Sequence, residues 1–168
     1  MLMPLPASSS AAAPSLFIRR FEPADAPALR GVFCSAVREV ACRDYSPGQL
    51  DAWAPADHEP AVWARLMARL DPFVAVLAGE PVGYADVQAS GLIDHFFVAA
   101  RANGRGVARA LMARVEAEAR GRGITELHAE VSLTAEGFFA RMGFEVVRRQ
   151  VVTVRGVALR NAVMRRCL

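Results

Sequence analysis

The chain has 168 residues, 54% of them hydrophobic, and a formal net charge of +3; that is enough apolar material for one continuous core, so one domain over residues 15–168 is expected. No apolar run approaches the roughly 20 residues of a membrane span, and the opening MLMPLPASSSAAAPS lacks the basic and unbroken apolar regions of a signal peptide. Three cysteines without metal-like spacing suit a cytoplasmic protein with no metal, and arginines scattered among 17 acidic residues, with no basic run, argue against a nucleic-acid partner.

Residues 1–14, rich in Pro, Ser and Ala without periodicity, read as a disordered tail. SLFIRRF alternates as a first strand. After the start signal at Pro23 to Asp25, Leu29, Val32, Phe33, Ala36, Val37 and Val40 fall at helical spacing. Ser46 and Pro47 read as N-cap and first residue of a short helix that ends before Pro55. AVWARLMARL makes a third helix, and FVAVLAGEPVGYADVQ two strands about a Gly79-Glu80 turn. The strand GLIDHFFV follows, then the turn AARANGRG, then the long amphipathic helix VARALMARVEAEAR, closed at Gly121 to Gly123. ELHAEV is a strand with Leu127, Ala129 and Val131 on one face; TAEGFFARMGF is a short helix stopped by Gly143. The remainder alternates on both sides of Arg155-Gly156 as a closing hairpin, whose strands offer a homodimer an edge for pairing between subunits. This order predicts an α/β protein of the α+β type, with a single mixed, mostly antiparallel sheet of about seven strands and helices on both faces.

The turn before the long helix carries the clearest chemistry. Gly104 and Gly106 leave several backbone N–H groups with no side chain in front of them, and a helix start adds the positive end of its dipole. Such a turn cradles phosphate. Arg105 and Arg109, one helical turn apart, add charge beside it. The full glycine pattern of a dinucleotide fold is missing, as is the Gly-Lys-Ser/Thr of a nucleotide-binding P-loop.

Asn103-x-x-Gly106-x-Ala108 after Val98-Ala99-Ala100, and Phe138-Phe139-Ala140-Arg141-Met142-Gly143-Phe144 further on, resemble the two signatures of the GCN5-related N-acetyltransferases (GNAT), with the element order in agreement. DYSPGQLDAW, IDHFFV, SLTAEGFF and RGVALRNAVM look most like the YafP-like bacterial branch. The resemblance implies a GNAT fold and transfer of an acetyl group from acetyl-CoA to a primary amine of an acceptor, in a ternary complex without an acyl-enzyme. Its alternative is a module that senses acyl-CoA without turnover. The resemblance places the cofactor's pyrophosphate on Asn103, Gly104, Arg105, Gly106, Val107, Ala108 and Arg109. It also places Phe97 or Val98 as a backbone donor to the oxyanion, and Ser132, Phe138 and Phe139 beside the pantetheine arm or the sulfur. Two positions depart from the pattern. Asn103 stands where Gln or Arg is usual, and Phe139 where many relatives carry a tyrosine that protonates the leaving thiolate.

An amine with a pKa near 10 is mostly protonated at neutral pH, so a base is useful. Along GLIDHFFV, alternation puts Leu92, Asp94, Phe96 and Val98 on one face and Ile93, His95 and Phe97 on the other. Relatives carry basic residues at the positions of Leu92 and Asp94, which leaves Asp94 as the expected base, directly or through a water; its other reading is a loop-ordering or arginine-paired carboxylate. His95, by alternation, belongs to the opposite layer as a structural histidine. Ser132 is a contact for the cofactor or leaving sulfur, or simply a helix N-cap. Tyr45 is the second catalytic candidate, as a phenolic acid in place of the missing tyrosine. Tyr45, Trp53, Asp44 and Asp57 lie in the segment that walls the acceptor site in relatives, where an acidic, aromatic wall suits a cationic amine; the tryptophans also read as core anchors.

Overall fold

The computed structural model describes residues 15–168; the tail expected over residues 1–14 lies outside the described residues. β1 (Leu16–Arg20) pairs antiparallel with β2 (Phe73–Leu77), which pairs with β3 (Glu80–Ala85). The turn between β2 and β3 is built on Ala78 and Gly79, both at positive φ, one residue earlier than the sequence suggests. Between β1 and β2 lie α1 (Ala26–Ser35), α2 (Pro47–Trp53) and α3 (Pro60–Leu70). The apolar spacing past Ser35 continues as a π turn over Ala36–Val40 and a 3-10 turn over Ala41–Arg43, so the expected first helix is regular only to Ser35. Ser46 and Gln49 form a capping box at the start of α2, with Pro47 at the position where its missing N–H costs nothing.

GLIDHFFV is where the fold departs from one continuous sheet. It contains two short strands, β4 (Leu92–Ile93) and β5 (Phe96–Val98), which belong to different ladders. β5 pairs antiparallel with β3, while β4 pairs parallel with β6 (Glu126–Ser132). The result is two four-stranded sheets, β1-β2-β3-β5 and β4-β6-β8-β7, the latter completed by the hairpin β7 (Glu145–Val154) and β8 (Val157–Cys167). The expected single sheet of about seven strands is thus eight strands parted at Asp94 and His95, which belong to neither strand. The closing hairpin turns at Arg155 and Gly156 as read, both at positive φ.

Helices cover both faces. α4 (Val107–Gly121) and α5 (Leu133–Arg141) bury Val107, Leu111, Met112, Val115 and Phe139 against Phe73, Ala75, Leu127, Ala129 and Met164. On the opposite face, Leu29, Val32, Trp63 and Met67 of α1 and α3 pack on Val74, Val76 and Tyr84. The alternation of β2 therefore serves two cores, one residue for each in turn.

Candidate active site

The parting of the strand is held by one carboxylate. Asp86, wholly buried just after β3, accepts hydrogen bonds at Oδ1 from the backbone N–H groups of Asp94 (3.1 Å) and His95 (2.6 Å). The Gln88 side chain donates to its other oxygen, and the Asp86 N–H donates to the His95 carbonyl at 3.1 Å. These bonds satisfy the two N–H groups that the break in the ladder would otherwise orphan. Burial pushes the Asp86 carboxyl above its ordinary value, against the lowering effect of the bonds it accepts.

The break also reverses side-chain parity. Ile93 packs in the same core as Phe96 and Val98, whereas Phe97 joins the opposite core with Ala99. His95 keeps the layer that alternation gives it, beside Phe97, as a hydrogen-bonded structural histidine, but Asp94 is not turned away from it: both line a cavity of about 700 Å³, with Phe97 on its wall. His95 is ringed by Phe33, Trp63, Tyr84 and Phe97, and its Nδ1 lies 3.0 Å from the Tyr84 hydroxyl. Burial among these rings holds its pKa below the ordinary 6.5, so the imidazole is neutral at pH 7.

The cavity has one wall from α1 to α3, with Phe33, Tyr45, Trp53, Asp57 and Trp63, and another from β6 and β8, with Glu130, Ser132, Leu159 and Asn161. Asp44 is not part of it; its carboxylate accepts from the Thr134 hydroxyl at 2.8 Å. The tryptophans fill both roles considered for them. The Trp63 Nε1–H donates to the Ala26 carbonyl (2.7 Å) and the ring is buried, yet its edge reaches the cavity. Tyr45 also lines the cavity, but its hydroxyl is occupied: it donates to the Arg160 carbonyl at 2.6 Å and accepts from the Leu133 N–H at 3.0 Å. This two-way bond ties the start of α5 to β8, and burial raises the phenol's pKa, so the hydroxyl considered as an acid also serves as a staple.

Ser132 caps α5, accepting from the Ala135 N–H at 3.2 Å, and its side chain also borders the cavity. Phe139 is 3% exposed, its ring packed on Phe96, Phe138 and Phe144. It offers little surface to a pantetheine arm, whereas the partly buried Phe138, its ring tilted against Phe96 with centroids 5.5 Å apart, offers more. Of the two oxyanion donors considered, ladder geometry distinguishes one. The Ala99 N–H donates to Val82 across the β3 ladder, so the Phe97 N–H, two residues earlier, points the same way. The Val98 N–H points to the open edge, where the two sheets part.

Beyond β5, a 3-10 turn over Ala100–Ala102 leads to the glycine turn. Gly104 and Gly106 both adopt positive φ, and a Cβ on either would meet nothing within 4 Å, which leaves the backbone open to an approaching group. Asn103 and Arg105 donate backward to Ala100 and Ala102, and Ala110 to Gly106. The N–H groups of Val107, Ala108 and Arg109, at the first turn of α4, have no preceding turn to donate to. Arg105 is exposed at the turn, and Arg109 lies exposed one turn into the helix. The residues present fit a pyrophosphate.

A family profile described as "Acetyltransferase (GNAT) domain" matches residues 41–164. The chain belongs to the GNAT family and is an N-acetyltransferase of its YafP-like branch. It is 36% identical over 149 residues to the uncharacterized N-acetyltransferase YafP of Escherichia coli K12, covering 88% of this chain and 93% of that one. Among solved structures, a GCN5-related N-acetyltransferase from Rhodopseudomonas palustris superposes with a TM-score of 0.86 at 30% identity, covering 96% of this chain and 100% of that chain. YncA of Salmonella typhimurium, solved with its cofactor acetyl-CoA, shares the fold at a TM-score of 0.67 and 19% identity, over 91% of this chain and 94% of its own.

Three features escaped the sequence. Asp86 looked like one more residue of a strand, although an acid inside the apolar run VGYADV was the available sign. Arg30 and Asn161, both on the cavity wall, lie within regular apolar patterns that gave them no distinction.

Proposed function

We propose that this protein transfers an acetyl group from acetyl-CoA to a primary amine held in the cavity, by direct attack in a ternary complex. The observation that carries the reading is the parted strand: one continuous segment delivers Asp94 and His95 to the cavity, the Val98 N–H to the open sheet edge, and the glycine turn beyond. Membership of the family and the acetyl-CoA complex of a fold relative support it.

Acetyl-CoA supplies the thioester carbon that the amine attacks. The backbone of residues 103–109, with Arg105 and Arg109, holds the pyrophosphate by N–H donation and charge. Phe138 and Ser132 flank the arm that leads from there to the cavity. The Val98 N–H donates to the carbonyl oxygen as negative charge develops on it. Asp94, exposed at the cavity, accepts the proton the amine loses, directly or through a water. His95 is the second reading for this base, favoured by its depressed pKa and its position on the same cavity. Phe139 has no proton to give and the Tyr45 proton is committed to Arg160, so water protonates the departing sulfur.

The same two residues favour an alternative, a sensor that binds acyl-CoA without turnover. A screen of primary amines that reads CoA release, with mass spectrometry of the product, separates the two. Acetylated product with stoichiometric thiol is expected; tight acetyl-CoA binding without release for any amine selects the sensor.

A further inference from the structure

Arg30 occupies an unusual place in the cavity wall. It is 8% exposed, and its guanidinium lies over the rings of Phe33 (5.2 Å) and Trp63 (5.3 Å). Its Nη2 donates to the Pro55 carbonyl at 2.5 Å, while its Nε has no hydrogen-bond partner among the described residues. No carboxylate lies within ion-pair distance of it among the described residues, although Asp57 and Glu59 border the same cavity. A buried cation without a counter-charge is costly. It persists here because two rings and one carbonyl hold it in a fixed pose, and Trp63 is itself anchored on Ala26. A guanidinium in that state is a preorganised fork for a planar anion.

Across the cavity, the Oδ1 of Asn161 is also buried without a partner, while its Nδ2 donates to Glu130 at 3.3 Å. Asn161 sits opposite Ser132 in the β6-β8 ladder. One wall thus lacks an acceptor for a donor, and the other lacks a donor for an acceptor. Aromatic rings line the same cavity, and Arg30 and His95 both lie against Phe33 and Trp63.

We infer that the acceptor is an aromatic or similarly apolar amine that carries a carboxylate, with the carboxylate on Arg30 and its N–H end toward Asn161 and Ser132. The inference rests on the acetyltransferase reading and names its substrate class. The acidic wall alone would suit a purely cationic amine; Arg30 makes the cavity a zwitterion's site.

The test uses matched pairs, phenylalanine with phenethylamine and 4-(aminomethyl)benzoate with benzylamine, on the full chain saturated with acetyl-CoA. CoA release gives kcat/KM, and calorimetry gives Kd for each amine. Arg30→Met keeps the stem's packing and removes the charge. In at least one pair the carboxylated member is expected to lead by tenfold or more in both quantities. Arg30→Met is expected to erase that lead while leaving the decarboxylated member within about twofold, as loss of a charge-assisted bond requires. Equal handling of both members by the unmodified protein, or a preference that survives in Arg30→Met, overturns the inference and leaves acetyl transfer standing. Arg30-dependent binding of the carboxylates with no CoA release overturns the transferase reading and keeps the anion site. Failure of both carboxylates to bind overturns the inference.

Discussion

Removing the Asp86 carboxylate gives the sharpest structural test of the parted strand. In Asp86→Ala the backbone N–H groups of Asp94 and His95 lose their only acceptor among the described residues. An unsatisfied buried donor costs about 1–3 kcal/mol. Removing a buried charge offsets part of that sum, and a net loss of about 3 kcal/mol is expected. For a domain of this size each kcal/mol moves the thermal midpoint by about 2–4 °C, so a fall of about 6–12 °C is expected by circular dichroism. Asp86→Asn keeps an acceptor oxygen and sheds the charge, so it should stay within about 1 kcal/mol of the unmodified protein at pH 7. The sign of the pH dependence follows from burial. Because the folded-state pKa of Asp86 lies above its unfolded value, its contribution to stability is fully present below the unfolded pKa and is lost as pH rises through the folded one. Acidification from neutrality should therefore improve the unmodified protein relative to Asp86→Asn. An Asp86→Ala midpoint within 2 °C of the unmodified protein, taking about 1 kcal/mol as the resolvable change, would refute the reasoning.

Other substitutions probe the surrounding parts. Gly91 enters β4 at φ +86°, where a Cβ would sit 2.1 Å from the Glu126 carbonyl oxygen, so Gly91→Ala should cost more than about 2 kcal/mol in urea unfolding. Tyr45→Phe strips the Leu133 N–H and the Arg160 carbonyl of a partner and should cost about 1–3 kcal/mol, while the pH–rate profile keeps its shape; a lost alkaline limb would restore Tyr45 as an acid. Asp94→Asn should lower kcat at least about tenfold and leave the calorimetric Kd for acetyl-CoA unchanged. If His95→Gln lowers kcat by that much while Asp94→Asn does not, the imidazole is the base.

Most of the architecture was legible because its elements announce themselves locally. Ser46 and Pro47 mark a helix start, Gly143 a helix stop, and Arg155-Gly156 a hairpin, each through backbone preferences that neighbouring elements do not override. The cradle was legible for the same reason: Gly104 and Gly106 act through their own backbone. What escaped depends on partners distant in sequence. Strict alternation assumes an unbroken ladder, and nothing in GLIDHFFV shows that β4 pairs with β6 while β5 pairs with β3. That single break, fixed by Asp86, puts Ile93 in the core of Phe96 and Val98 and leaves Asp94 on the cavity that His95 lines. The engagement of the Tyr45 hydroxyl with Arg160 and Leu133 spans most of the chain, so no local pattern could show it. Arg30 is distinctive only for a counter-charge that three-dimensional packing fails to provide.

The central claim is that the backbone of the glycine turn holds the pyrophosphate of acetyl-CoA. Calorimetric titration of acetyl-CoA into the unmodified protein and Gly106→Glu tests it most directly, because a side chain at Gly106 meets open space in front of the cradle and the strain of its φ of +79° falls on an exposed turn rather than on the core. Saturable binding to the unmodified protein and an affinity at least tenfold weaker in Gly106→Glu, or about 1.4 kcal/mol, are expected, with the fold retained by circular dichroism. Equal affinity in the two proteins, or no binding to the unmodified protein at millimolar acetyl-CoA, about −4 kcal/mol, would contradict it.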